Sequence, residues 1–144
     1  MVREVRNDEL EQLLELYLHL HETEVPVLTQ RIRLVWQEIC ADPNHHILVW
    51  EEEGRLVSSC VCVVIPNLTR GVSPYAFVEN VVTHRDYRGK GFATACLNAA
   101  KEIAQKAGCY KMMLLTGAKD PATLRFYERA GYNSSDKTAF IQWI

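Results

Sequence analysis

Apolar and polar residues follow two rhythms along this chain. Leu10, Leu13, Leu14, Tyr17 and Leu18 recur at three-and-four spacing, the period of a helix with one buried face. Asn7 and Asp8 precede them, and Asp8 with Glu11 has the spacing of a capping box, which predicts a first helix over about residues 8–21. Beyond Pro26 the same period returns in Ile32, Val35, Trp36 and Ile39, and Asp42-Pro43 stops this second helix. Residues 47–50 and 56–65 are rich in β-branched side chains and flank Glu52-Glu53-Gly54-Arg55, the pattern of a hairpin. Residues 66–74 read as loop and residues 76–83 as another strand.

The longest periodic segment follows. From 91 to 107 the residues Phe92, Cys96, Leu97, Ala100, Ile103, Ala104 and Ala107 make a helical stripe, and Gly108 stands where a left-handed C-cap belongs. A short strand is predicted over 111–116. Asp120-Pro121 then opens a helix that Gly131 closes, and residues 138–144 read as a last strand. The order is β-α-α-β-β-β-α-β-α-β without repeats or linkers. It implies an α/β (α+β) layer fold whose sheet is mixed and only partly parallel.

Composition narrows what such a fold can do. One hundred and forty-four residues suit one domain, 1–144, and leave too little core for two. Sixteen Lys and Arg against eighteen Asp and Glu argue against a broad phosphate-tracking face, so no nucleic acid partner is expected. The longest uncharged stretch, 56–69, carries Ser58, Ser59, Pro66 and Asn67 and is shorter than the roughly 18 apolar residues of a membrane span. No membrane association is expected, and the charged start Met1-Val2-Arg3-Glu4 has no apolar signal core, so the expected location is cytoplasmic. Cys40, Cys60, Cys62, Cys96 and Cys109 include no CxxC pair and read as reduced core residues. His45-His46 lacks a second ligand cluster, so surface histidines are expected there rather than a metal site. Tyr17, Trp36 and Trp50 are read as packing.

Between the strand at 76–83 and the long helix lies Arg88-Gly89-Lys90-Gly91-Phe92-Ala93-Thr94. A helix start has unpaired amide hydrogens and the positive end of the helix dipole, and glycine lets a bulky anion approach the backbone. Arg88 and Lys90 add charge suited to phosphate oxygens. A P-loop is excluded because GxxxxGK[ST] is missing. The dinucleotide fingerprint fits poorly, with Thr94 at its third small position and no acid about 20 residues on. A turn that merely redirects the chain is the competing reading, which the two glycines and two cations at one helix start disfavour.

Arg88-x-x-Gly91-x-Ala93 resembles the acetyl-CoA signature Q/R-x-x-G-x-G/A of the GNAT N-acyltransferase superfamily. Downstream, Phe126-Tyr127-Glu128-Arg129-Ala130-Gly131-Tyr132 is similar to the second signature of that family, FYEKxGF. The resemblance covers about residues 76–132. It implies a GNAT-like mixed sheet of six to seven strands with about four helices, with central strands splayed apart. It implies acetyl-CoA as co-substrate, its pyrophosphate on the amides of Arg88, Gly89, Lys90, Gly91, Phe92, Ala93 and Thr94. Pantetheine is then expected to pair with the backbone of Val81, Val82 and Thr83. An acceptor amine attacks the thioester directly, so a base must first take its proton. Glu79 is the candidate base, with a salt-bridged strand carboxylate as its alternative. Tyr127 matches the family tyrosine that protonates the departing thiolate, and simple packing is its alternative. An amide near Val81 is placed to polarise the thioester carbonyl. Many relatives have a pantetheine-contacting asparagine where Asp120 stands; a carboxylate only accepts hydrogen bonds, so Asp120 is expected as a pantetheine contact, with a plain helix cap as its alternative.

Within the same half, residues 77–82 and 108–111 are similar to glucosamine 6-phosphate N-acetyltransferases. The acceptor expected is a small-molecule primary amine: an amino sugar, an amino acid derivative or a polyamine-like compound. A protein lysine or N-terminus, or a non-catalytic acyl-CoA sensor, remains the alternative. Relatives often pair, so a homodimer is among the assemblies the resemblance allows, and no metal is implied.

Overall fold

The computed structural model describes residues 1–144. In chain order the elements are β1 (Val2–Glu4), α1 (Leu10–Tyr17), α2 (Gln30–Ala41), β2 (His45–Glu52), β3 (Arg55–Ile65), α3 (Thr69–Val72), β4 (Tyr75–Thr83), α4 (Phe92–Lys106), β5 (Met112–Leu114) and α5 (Pro121–Arg129). The strands form one open sheet in sequence order, antiparallel from β1 to β4 and parallel between β4 and β5. The β2–β3 hairpin turns on Glu53 and Gly54, both at positive φ, the geometry that matches the twist of paired strands. No helix is long and apolar enough to cross a membrane.

Each face of the sheet carries its own core. Leu48, Cys60, Cys62, Ala76 and Val78 pack under Cys96, Leu97, Ala100 and Ala104 of α4. Ile47, Val49, Leu56, Val61 and Val82 pack under Leu13 and Leu16 of α1 and Trp36 of α2. Strand alternation produces this division: Leu48 points one way while Ile47 and Val49 point the other.

The sheet has five strands, not the six to seven expected, and the helices number five because a short turn, α3, forms inside the expected loop. Residues 138–144 form no strand. No backbone–backbone hydrogen bond involves any residue beyond Tyr132, since a strand exists only where another edge is within reach. The first helix is also shorter than its apolar stripe. A 3-10 turn, Asn7–Glu9, precedes α1, which ends at Tyr17. The capping carboxylate is Glu9 rather than Glu11: it accepts from the Arg6 backbone N–H at 2.7 Å. Glu9 is 2% exposed and is also bound by the Arg3 guanidinium at 2.8 and 2.6 Å. Arg3 in turn pairs with Glu51 of β2, and hydrogen bonding to Arg3 holds the Glu9 carboxyl below the usual carboxylate range.

Candidate active site

The start of α4 is shaped by glycine. Gly91 is the N-cap at φ +83° with no side-chain cap, and Gly89 sits at φ +75°. L-residues avoid this region, so the two glycines hold a turn that other side chains would strain. At the far end Gly108 (φ +76°) closes α4: Cys109 N–H donates to Ala104 O at 2.9 Å and Gly108 N–H to Gln105 O at 3.0 Å, a Schellman end. Phe92 anchors the start, its ring stacked on Trp50 of β2 at 4.5 Å. None of the amide N–H groups from Gly89 through Thr94 has a protein partner. They form an anion cradle of the kind a helix dipole reinforces.

Charged and aromatic groups brace the loop before it. Arg88 donates from Nε to Thr83 O at 3.3 Å and from Nη2 to His19 O at 3.4 Å, tying the loop to β4 and to the turn after α1. Lys90 Nζ rests 4.7 Å from the Tyr87 ring centroid. His84, 6% exposed, accepts from Asp86 N–H at Nδ1 and lies 4.0 Å from the His19 ring. Burial, with Arg55 close by, lowers the pKa of His84 and favours the neutral ring.

Beside this cradle the sheet opens. β4 pairs with β5 only at Ala76–Met112, Phe77–Met113 and Val78–Leu114, while β4 itself continues to Thr83. β5 ends at Leu114, so Glu79 through Thr83 of β4 have no β5 partner. Across β4 the register shifts: Ser59 faces Val82 and Val61 faces Glu79, so Asn80 and Val81 together oppose Cys60. This is a β-bulge, with Asn80 at φ +50°. The carbonyl of Val82 accepts from Ser58 Oγ at 3.0 Å and that of Thr83 from Arg88. Val81 is thus the residue of the three whose carbonyl has no side-chain partner.

Glu79 is exposed, and Tyr127, on α5, is half-buried. Burial raises the Tyr127 phenol, as do Cys60 and the Glu79 carboxylate, so the phenol keeps its proton near neutrality. Glu79 and Tyr127, 48 positions apart in sequence, thus lie close enough for the carboxylate to act on the phenol. Asp120 caps α5 by accepting from Thr123 N–H at 2.9 Å, and that bond lowers its pKa.

Two neighbouring residues, Asn80 and Tyr17, carry little signal in sequence, and a third, Tyr132, closes the second signature. Asn80 supplies the bulge, and an asparagine inside a strand run is its faint mark. Tyr17, read as packing, sits against Asn80, with its phenol pushed up to about 12 by burial. Tyr132 lies near Tyr127, ring centroids 6.3 Å apart, and its buried hydroxyl has no hydrogen-bond partner.

Other candidates lie elsewhere. His46 Nδ1 pairs with Glu4 at 2.7 Å. Trp36 Nε1 donates to Asn7 O at 2.9 Å. Cys60, Cys62 and Cys96 are buried as expected, and burial pushes Cys62 and Cys96 up to about 11, leaving them unreactive. Cys40 departs from the core reading: it is exposed on α2. A pocket of about 590 Å³ is lined by Asn7, Glu11, Arg33, Trp36 and others before β2.

Over residues 7–132 the chain matches the acetyltransferase (GNAT) family. It belongs to that family. A solved structure from Agrobacterium tumefaciens str. C58, assigned as an acetyltransferase, superposes with a TM-score of 0.90 at 38% identity, covering 99% of both chains. The glucosamine 6-phosphate N-acetyltransferase of Trypanosoma brucei brucei is 30% identical, over 94% of this chain and 90% of its own. The glucosamine-6-phosphate N-acetyltransferase of Arabidopsis thaliana has a TM-score of 0.86 at 22% identity, covering 100% and 97%, which shows the shared fold alone. This GNAT protein is an acetyl-CoA-dependent N-acetyltransferase.

Proposed function

We propose that this GNAT enzyme acetylates the primary amine of a small molecule in the gap between β4 and β5. One observation carries the reading: the unpartnered amides from Gly89 through Thr94 follow a strand, β4, whose last five residues, Glu79 to Thr83, have no pairing with β5. That cradle suits a diphosphate, with Arg88 and Lys90 at its rim, and the gap suits an extended, amide-bearing arm. Val81, Val82 and Thr83 are the backbone edge along which such an arm would pair, and Asp120, the cap of α5, offers an acceptor only.

Acetyl-CoA supplies the acyl group in activated form, as a thioester. Glu79, through a water, takes the proton that an ammonium must lose before its nitrogen can attack. The amide at Val81, turned by the bulge at Asn80, donates to the thioester oxygen as negative charge develops there. Tyr127 delivers its proton to the departing sulfur, for which a weak acid suffices because a thiol pKa lies near 8.5. No residue of the chain forms a covalent link to the acyl group.

The small-amine assignment is supported by similarity to the Trypanosoma brucei brucei enzyme, named for an amino sugar phosphate. A panel of amino sugars, amino acid derivatives, polyamines and lysine or N-terminal peptides, followed by thiol release, tests it. Faster turnover of peptides than of any small amine would reassign the enzyme to protein substrates. Stabilisation by acetyl-CoA of roughly 2.7 kcal/mol at a hundredfold excess over Kd, without turnover of any amine, would make it a sensor.

A further inference from the structure

Four segments meet at His84, the residue between β4 and the loop that leads to the unpartnered amides. Its backbone N–H donates to Val57 O of β3 at 2.8 Å, and its carbonyl accepts from Tyr87 N–H at 2.9 Å. Its Nδ1 accepts from Asp86 N–H at 3.2 Å. The ring lies 4.0 Å from that of His19, in the turn after α1, and 5.4 Å from that of Tyr87, which meets it edge-on. Both cations of the loop are placed by groups in this cluster. Lys90 rests over Tyr87, and Arg88 donates to Thr83 O and to His19 O.

The cluster needs the imidazole uncharged. An Nδ1 that accepts from a backbone N–H carries no proton, and protonation would turn this acceptor into a donor aimed at a donor. Burial disfavours charge on the ring, and so do Arg55 of β3, Arg85 and Arg88; the exposed Asp86 carboxylate, 3.8 Å from Nδ1, pulls the other way. His19 is pushed in the same direction, by burial and then by His84 and the same arginines. An asparagine would accept from the Asp86 N–H equally well, so the hydrogen bond alone does not call for an imidazole. The ring adds contact with His19 and Tyr87, and it adds titration. The formed loop holds His84 more tightly uncharged than charged, so a falling pH opposes the loop.

We propose that the uncharged His84 imidazole is a positioning residue for coenzyme binding: it locks the turn at 85–87 and the amides beyond it against the end of α1, and a second proton on the ring unlocks them. This rests on the diphosphate reading of Gly89 through Thr94 and adds to it a dependence on pH. His84 acts through the backbone and rings around it, and no proton passes from it to a reacting atom.

Titration of the intact chain with acetyl-CoA from about pH 8 to about pH 5, beside His84→Asn, tests the lock. Asparagine keeps an acceptor for Asp86 N–H and cannot take a charge. The titration of the nucleotide phosphates cancels in the ratio of the two Kd values. The ratio of wild type to His84→Asn should be flat above the ordinary histidine value near 6.5 and rise roughly fivefold by pH 5, as the fraction of formed loop falls. His84→Phe, which keeps a ring without the acceptor, should bind acetyl-CoA more weakly at every pH and without this rise. The far-ultraviolet circular dichroism of the wild type should not change over the range, because the release is local. A flat ratio would overturn the proposal, as would a shared pH dependence that vanishes in His19→Asn, or unfolding of the whole chain over the same range. Adenosine 3′-phosphate 5′-diphosphate, which has the diphosphate and no pantetheine, should show the same rise. If it binds with a flat ratio, the role of His84 fails alone; if the wild type binds acetyl-CoA and not this nucleotide, the diphosphate reading fails and takes the lock with it.

Discussion

Replacing Gly91 by aspartate separates backbone strain from charge. At φ +83° any L-residue costs about 1–2 kcal/mol, and nothing lies within 4 Å of where a Cβ would stand, so no clash adds to it. Gly91→Ala should therefore lower Tm by roughly 3–6 °C, at about 3 °C per kcal/mol for a chain of this size. Gly91→Asp has the same strain and adds a carboxylate to the cradle. At about 5 Å from a phosphate charge, the repulsion is roughly 0.8 kcal/mol at an effective dielectric constant of 80 and roughly 3.3 kcal/mol at 20. The Kd for acetyl-CoA should rise between about 4-fold and about 250-fold over that of Gly91→Ala. If the backbone relaxes instead to the extended N-cap conformation, the carboxylate caps α4 itself and occupies the amides, with the same direction of effect. Isothermal titration in low salt measures the ratio, which should shrink as salt screens the charge. Equal affinity in the aspartate and alanine variants would mean that no anion is held at these amides.

Three further outcomes are expected. Tyr127→Phe should reduce kcat by roughly a hundredfold while leaving the Kd for acetyl-CoA within about twofold; equal losses in both, from steady-state kinetics and titration, would make the phenol a binding group. Glu79→Gln should slow turnover at pH 7 and regain rate as pH rises and the acceptor amine sheds its own proton, so a pH profile parallel to wild type would remove Glu79 from the mechanism. Glu9→Gln should destabilise the fold by about 2 kcal/mol at pH 7, because the Arg3 pair is partly desolvated. The Glu9 carboxyl is lowered in the fold, so its contribution is complete above the unfolded value near 4.3 and is lost as pH falls through the folded one; thermal melts of variant and wild type should converge in acid.

What the sequence determined by itself was local. The α4 stripe, Gly91 before it, Gly108 after it and Pro121 at the first position of α5 are read from a few neighbouring residues, because helical period, positive φ and a missing N–H act over one or two turns. The turn of unpartnered amides from Gly89 to Thr94 was legible for the same reason: it is a helix start. The tertiary structure decided what depends on distant partners. β5 accompanies β4 only as far as Val78 and Leu114, and the bulge just beyond is set by register against Cys60. That Tyr127 feels the Glu79 carboxylate, and that Tyr17 sits near Asn80, is settled by packing between layers. Glu9 displaced Glu11 as the capping acid because Arg3, on a strand, lies beside it. Residues 138–144 have every local mark of a strand, but pairing needs an edge, and the fold of one chain brings none to them.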